Sequence, residues 1–99
     1  MDKEVEKLIP LLNEASKRFL ELGHVDIWDT DYYADDLEMF CKEVSDKILN
    51  GTISLDEKRK LWGIFAPTCG WDDSVGDVKL GNKIFELIDK LYRNEVLKE

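Results

Sequence analysis

The sequence predicts an all-α protein, a single-domain bundle of about four amphipathic helices that spans residues 1–99. Three observations support this fold class. Apolar residues recur at steps of three and four along four segments. No segment shows the sustained polar–apolar alternation that is typical of a strand. The links between the four segments are short, and the chain has the length of one domain.

The first predicted helix runs from about Asp2 to Leu22. Its apolar stripe consists of Leu8, Leu12, Ala15, Phe19 and Leu22. Gly23 follows this stripe and is a typical left-handed helix stop. Pro10 lacks the amide hydrogen that an interior helical position donates, so we expect either a kink or a later helix start.

The second predicted helix begins near Asp29 or Thr30 and ends before Gly51. Asp29 is a suitable N-cap, because its side chain would accept a hydrogen bond from an amide of the first turn. The apolar stripe of this helix, with Cys41 beside it, consists of Tyr33, Leu37, Phe40, Val44 and Ile48.

The third predicted helix has the clearest start signal, a capping box formed by Ser54 and Glu57. Pro67 closes it. Gly63 weakens the helix by about 1 kcal/mol relative to alanine, which suggests a close packing contact at that position. The apolar residues of this segment are Leu55, Leu61, Trp62 and Phe65.

The fourth predicted helix begins near Asp77 and runs towards Val96. It follows a loop that contains Trp71, which either plugs the open end of the bundle or is displayed on its surface. The buried stripe of the helix consists of Leu80, Ile84, Leu87, Ile88 and Leu91.

The charge of the protein is concentrated in one region. The net charge is −8, and residues 21–46 alone hold nine acidic side chains and one basic side chain. Such a surface repels phosphate groups, which argues against nucleic acid and against an anionic membrane as partners. It favours a basic protein partner, because complementary charge speeds encounter and selects partners.

Composition points to an intracellular protein. The N-terminus lacks the basic-then-apolar pattern of a signal peptide, and no run of about 18 apolar residues suggests a membrane span. Two cysteines, Cys41 and Cys69, are too few for a disulfide framework. We therefore expect a cytoplasmic protein with reduced thiols.

No catalytic signature is present. His24 is the only histidine, and no spacing brings it to Cys69, the one nucleophile in an evident loop. A calcium loop that started at Asp29 would need glycine at its sixth position and glutamate at its twelfth, where this chain has Ala34 and Phe40. The sequence therefore predicts neither an enzyme nor a metal or other cofactor.

The strongest functional signal is the stretch VDIWDTDYYADDLEMF, from Val25 to Phe40. Since Tyr33 is assigned to the core stripe, its neighbour Tyr32 is expected to point outwards among the aspartates. Exposed aromatic rings among carboxylates are typical hot spots for basic partners. The predicted partner-binding residues are Asp29, Asp31, Tyr32, Asp35, Asp36 and Glu38, with Trp71, Asp72 and Asp73 as a second patch.

Two resemblances add to this interpretation. The run LWGIFAPTCGWDDSVGDVKLGNKIFELIDKLY looks like a small domain of uncharacterised bacterial proteins, which implies a bacterial origin. More broadly, Tyr32 and Tyr33 in DTDYYADD are similar to the Tyr-Tyr pair of the immunity proteins of nuclease colicins, which are small, acidic and four-helical. In that family the pair lies at a short third helix, whereas here it opens the predicted second helix, so the resemblance concerns the mode of action.

The resemblance implies an immunity protein that binds and neutralises a basic toxin domain, as colicin and contact-dependent growth-inhibition systems do. The alternative is a regulatory or adaptor module that binds a basic peptide or protein through the same face. A third interpretation is a small enzyme that uses Cys69 or the loop containing Asp72 and Asp73. The sequence alone does not separate the first two.

Overall fold

The protein is built from four helices, in agreement with the predicted fold class. A computed structural model describes residues 3–26, 32–66, 71 and 77–97. The helices are α1 (Lys3–Leu22), α2 (Ala34–Asn50), α3 (Leu55–Phe65) and α4 (Val78–Val96). Within the described ranges there is no strand, and none of the helices is both long and apolar enough to cross a membrane.

One core joins the four helices, because the apolar stripe of each helix turns inwards. Helix α1 packs against both α2 and α4, and α3 packs against α4. The core side chains that are fully shielded from solvent include Leu8, Leu12 and Phe19 of α1, Leu37, Cys41 and Val44 of α2, Leu61 of α3, and Ile84 and Ile88 of α4. The predicted stripes of α1, α2 and α4 are therefore confirmed at most of their positions.

Helix α1 ends as predicted but begins earlier than its proline suggested. It starts at Lys3, close to the predicted start near Asp2, and it continues through Pro10, so the later start, one of the two alternatives expected from the proline, does not occur. Gly23 has a positive φ of 78°, which confirms the left-handed stop. Leu22, the last position of the predicted stripe, is 36% exposed because it lies at the end of the helix.

Helix α2 begins later than predicted, and this removes Tyr33 from the core. Tyr33 is an extended N-cap residue with φ −93° and ψ 160°, and its side chain is 38% exposed. Asp36 accepts a hydrogen bond from the Tyr33 amide at 3.2 Å, and the Ala34 amide donates to the Val25 carbonyl at 2.8 Å. These two bonds fix the helix start, whereas the predicted cap, Asp29, lies outside the described residues.

Helix α3 has the predicted capping box. The Glu57 amide donates to Ser54 Oγ at 3.2 Å, and the Ser54 amide donates to Glu57 Oε1 at 3.0 Å. The expectation of a close packing contact at Gly63 is wrong, because a Cβ atom added there would meet nothing within 4 Å. Leu55 is 42% exposed and does not join the core, and Pro67 lies outside the described residues.

Trp71 plugs the space between three helices. Its ring contacts Phe19 of α1 edge-on at a centroid distance of 5.2 Å, and it contacts Phe65 of α3 at 5.3 Å. Its indole Nε1 donates to the Asp77 carbonyl at 2.7 Å, and the ring lies against Gly81 of α4. Because Trp71 is completely buried, its assignment to a partner-binding patch is wrong.

Candidate functional site

The candidate site lies where α1 ends and α2 begins. Asp26 and Tyr33 pair as an isolated antiparallel bridge, which brings the chain after α1 alongside the first residues of α2. Both residues are exposed, as are Tyr32 and Asp36, while Asp35 is partly exposed. We call the surface formed by Asp26, Tyr32, Tyr33, Asp35 and Asp36 the acidic face. It holds three carboxylates and two aromatic rings on one end of the molecule.

His24 organises one side of the acidic face. Its ring stacks on Tyr33, with a centroid distance of 3.9 Å and an interplanar angle of 20°. Its Nδ1 atom lies 3.0 Å from Asp35 Oδ2. The hydrogen bond from His24 is the main reason why the pKa of the Asp35 carboxyl lies below its ordinary value. Asp35 is therefore held in its charged form at the surface.

His24 and Tyr33 were missed as site residues by the sequence analysis. His24 was considered only as a catalytic base, and Tyr33 was assigned to the core. The contacts of His24 arise because the chain reverses direction at Gly23, which places His24 beside the start of α2. A glycine stop followed closely by a histidine and an acidic helix start is a pattern from which this contact could have been predicted.

Tyr32 points outwards as predicted, but one face of its ring is covered. The ammonium group of Lys60, on α3, lies 3.7 Å from the centroid of the Tyr32 ring and 4.2 Å from that of Phe40. Tyr32 is 38% exposed, whereas Phe40 is only 7% exposed. Lys60 was also missed, because 28 residues separate it from Tyr32 in the sequence and no local pattern connects them.

Glu38 is not part of the exposed surface, so its assignment to the acidic face is wrong. It is one helical turn beyond Ala34, and both residues face the core side of α2, where Glu38 is 8% exposed. Its Oε1 atom lies 3.3 Å from Lys42 Nζ, and its carbonyl accepts a hydrogen bond from Ser16 of α1 at 3.0 Å. Its Oε2 atom is buried and has no hydrogen-bond partner among the described residues.

Four of the predicted partner-binding residues, Asp29, Asp31, Asp72 and Asp73, lie outside the described residues. The structure thus brings together Tyr32, Asp35 and Asp36 from the predicted set. It adds Asp26, Tyr33 and His24 to them, and it removes Glu38 and Trp71. Asp36 has a second role, since its carboxylate also caps the start of α2.

The functional groups of the described site are carboxylates, phenol rings and one imidazole. Cys41 is buried in the core, and burial raises the pKa of its thiol to about 12, so it does not supply a thiolate at neutral pH. Cys69 lies outside the described residues. Among the residues that the structure describes, no cluster of three metal-ligating side chains is found. The exposed carboxylates and rings are suited to attract cations and to contact a protein surface.

A depression with the opposite charge lies between α1 and α4. It has a volume of about 410 Å³ and is lined by Lys7, Pro10, Leu11, Lys83, Glu86, Leu87 and Lys90. None of its lining residues belongs to the acidic face. With three lysines and one glutamate in its lining, this depression has the opposite net charge to the acidic face.

No model of a known protein family, no characterised protein and no solved structure significantly matches the chain.

Proposed function

We propose that the protein is a bacterial immunity protein that acts in the cytoplasm and neutralises a basic toxin domain, a nuclease, by binding it through the acidic face. The observation that carries this proposal is the exposed pair Tyr32 and Tyr33, each 38% exposed, beside the carboxylates of Asp35 and Asp36. Asp29 and Asp31, which the sequence places in the same segment, are proposed to add to this surface.

The two kinds of side chain have separate roles in this proposal. Carboxylates attract a basic surface over a distance and accelerate the first encounter. Aromatic rings contribute contact energy once water is excluded from the interface, and they mainly set the rate of dissociation. A nuclease must present cations to bind the phosphates of its substrate, so an acidic protein that covers those cations would block its activity.

The site is also held in a defined shape, which favours binding. Tyr33 is fixed by its stacking on His24 and by the bond from its amide to Asp36. Asp35 is oriented by His24. Side chains that are already ordered lose less conformational entropy when a partner binds.

The test is the association rate between this protein and the toxin domain encoded by the neighbouring gene. In the variant Asp35→Asn/Asp36→Asn the side-chain oxygen that caps α2 is retained, but two negative charges are lost. We expect association to slow about 10-fold at low salt, with the difference shrinking as salt rises. Stopped-flow kinetics at several salt concentrations would measure both effects.

The matched control is Glu43→Gln/Asp46→Asn, which removes the same charge from exposed positions on the same helix. Asp46 lies 11 residues beyond Asp35, about 16 Å along α2. Equal slowing in both variants would mean that net charge matters and that the acidic face does not. If no toxin domain binds while unrelated basic peptides do, the adaptor alternative replaces the immunity proposal.

A further inference from the structure

We infer that Tyr32 and Phe40 form a cation-binding site, that Lys60 occupies it in the unbound protein, and that a lysine or arginine side chain of a basic partner replaces Lys60 in the complex. The identity of that partner rests on the proposed function. The existence of the site rests only on the contacts of the described residues.

Two aromatic rings contact the same ammonium group. Lys60 Nζ lies 3.7 Å from the centroid of Tyr32 and 4.2 Å from that of Phe40. Both distances are well inside the limit of about 6 Å at which a cation is attracted to the face of a ring. Phe40 is an inner wall, since it is nearly buried, and Tyr32 is an outer wall that reaches solvent. Such a slot can admit a cation from outside.

Lys58, on the same helix, provides a comparison, because its ammonium group contacts both an aromatic ring and a carboxylate. Its ammonium group lies 4.9 Å from the centroid of Tyr92 and is also paired with Glu95 at 3.0 Å. Lys60, in contrast, forms no ion pair within 4 Å among the described residues. When Lys60 leaves the two rings, it therefore loses its contacts with them, but it does not lose an ion pair with any described carboxylate.

Exchange of Lys60 for a partner cation is chemically reasonable. A lysine ammonium is strongly hydrated, so Lys60 regains favourable contacts with water when it leaves the slot. A guanidinium group is planar, more weakly hydrated and stacks well on aromatic rings, which makes arginine the preferred replacement. Asp35 and Asp36 lie close in sequence to Tyr32 and attract such a group to the site.

Lys60 would then act as an internal competitor. A site that is filled for most of the time binds an external ligand with an affinity reduced by the fraction of time that it is empty. The lysine would lower the affinity for isolated cations, while a partner that offers many contacts at once would still displace it. This arrangement would add selectivity to an otherwise general attraction between acidic and basic surfaces.

The test uses Lys60→Met, which keeps the length and apolar stem of the side chain and removes its charge. The probe is N-acetyl-arginine amide, titrated into the protein while the ring protons of Tyr32 and Phe40 are followed by NMR. We expect the variant to bind the probe at least about threefold more tightly than the wild type does. The control Lys58→Met should bind it no more tightly than the wild type.

Three results would overturn the inference: no gain in Lys60→Met, an equal gain in Lys58→Met, or a gain that persists when Tyr32→Leu is added to Lys60→Met. If Lys60→Met does not keep the native NMR spectrum, Lys60→Gln serves in its place.

Binding of the toxin domain separates the two proposals. A gain in probe binding without any toxin binding would support the cation site and contradict the immunity function. Toxin binding that is equal in the wild type and in Lys60→Met, without a gain in probe binding, would contradict the cation site alone.

Discussion

Glu38 shows how burial changes the role of a carboxylate that looks, in the sequence, like its exposed neighbours. Its Oε1 atom has a partner in Lys42, but its Oε2 atom has none among the described residues. A buried acceptor without a hydrogen bond lowers stability by about 1–3 kcal/mol. We therefore expect Glu38 to lower the stability of the fold, and as a buried residue it does not belong to the acidic face.

Replacing Glu38 by methionine should therefore raise the free energy of unfolding, by about 1 kcal/mol. Methionine is similar in size and has no unsatisfied polar atom, and Lys42 is 62% exposed, so it loses little when the ion pair is removed. Urea denaturation at neutral pH would measure the change. Lys42→Met is the comparison, because it leaves the carboxylate without any ion-pair partner in the described structure and should lower stability. A loss of stability in Glu38→Met would show that Oε2 has a favourable partner after all.

The contact between His24 and Asp35 predicts a specific pH dependence. Because the pKa of Asp35 is lowered in the folded protein, its contribution to stability is present above its ordinary value of 3.8. That contribution is lost as the pH falls through the lowered pKa, where the folded carboxylate takes up its proton. In His24→Gln the titration midpoint of Asp35 should rise towards the ordinary value.

Carbon-13 NMR of the Asp35 carboxyl group would measure that midpoint. Thermal melts of both proteins should differ at about pH 5 and converge once the pH lies below the lowered pKa of Asp35, where the carboxyl group is protonated in either protein. An unchanged midpoint in His24→Gln would mean that His24 does not stabilise the charged form of Asp35.

At the scale of the helices, two glycines that both lie inside a helix have opposite roles. Gly63 on α3 and Gly81 on α4 both lie inside helices, but a Cβ atom at Gly81 would meet Cδ1 and Nε1 of Trp71, the latter at 2.7 Å. The indole ring is completely buried between Phe19 and Phe65, so it has no room to move. Gly81 is thus the position that allows α4 to pack on Trp71.

Gly81→Ala should consequently destabilise the protein by about 1–3 kcal/mol, the usual penalty for overpacking a core. Gly63→Ala should instead stabilise it by up to about 1 kcal/mol, because alanine favours the helix and meets no neighbour at that position. Chemical denaturation of both variants, with near-ultraviolet circular dichroism to follow Trp71, would make the comparison. If the two substitutions had the same effect, helix propensity alone would explain both.

These helices also show which features could be predicted from the sequence. Apolar periodicity and the Ser54 capping box are local, and they predicted the stripes and the start of α3 correctly. The start of α2 was predicted wrongly because apolar periodicity extends through Tyr33, whereas a side-chain bond from Asp36 and pairing with the preceding chain set the boundary. Close packing was expected at Gly63 but occurs at Gly81, since only the folded structure shows where Trp71 lies.

The acidic face was predicted only in part, because some of its contacts depend on the folded structure. Aspartates beside tyrosines are evident in the sequence, and Asp35, Asp36 and Tyr32 are found together on the acidic face. The burial of Glu38 depends on how α2 packs against α1. The contact of Lys60 with Tyr32 depends on the position of α3. Neither arrangement leaves a pattern in the local sequence.

For the whole molecule, the concentration of acidic side chains in residues 21–46 is the main electrostatic feature. Lys7, in the depression between α1 and α4, lies 15 residues before Leu22, the last residue of α1, which is about 22 Å along the helix. Electrostatic interactions are screened over about 8 Å at physiological salt. Lys7 therefore does not cancel the charge of the acidic face, and under the proposed function we expect a basic partner to approach the molecule at that face.

The buried thiol of Cys41 can report how often the core of the protein opens. Burial raises the pKa of the Cys41 thiol to about 12, so the folded protein presents almost no reactive thiolate to a reagent. In a Cys69→Ser background, alkylation of Cys41 must wait until the core opens, so the labelling rate reports how often it opens. Any ligand that binds only the folded protein lowers the rate at which Cys41 is alkylated. The labelling rate of this one sulfur atom can therefore be used to screen for partners whose identity is unknown.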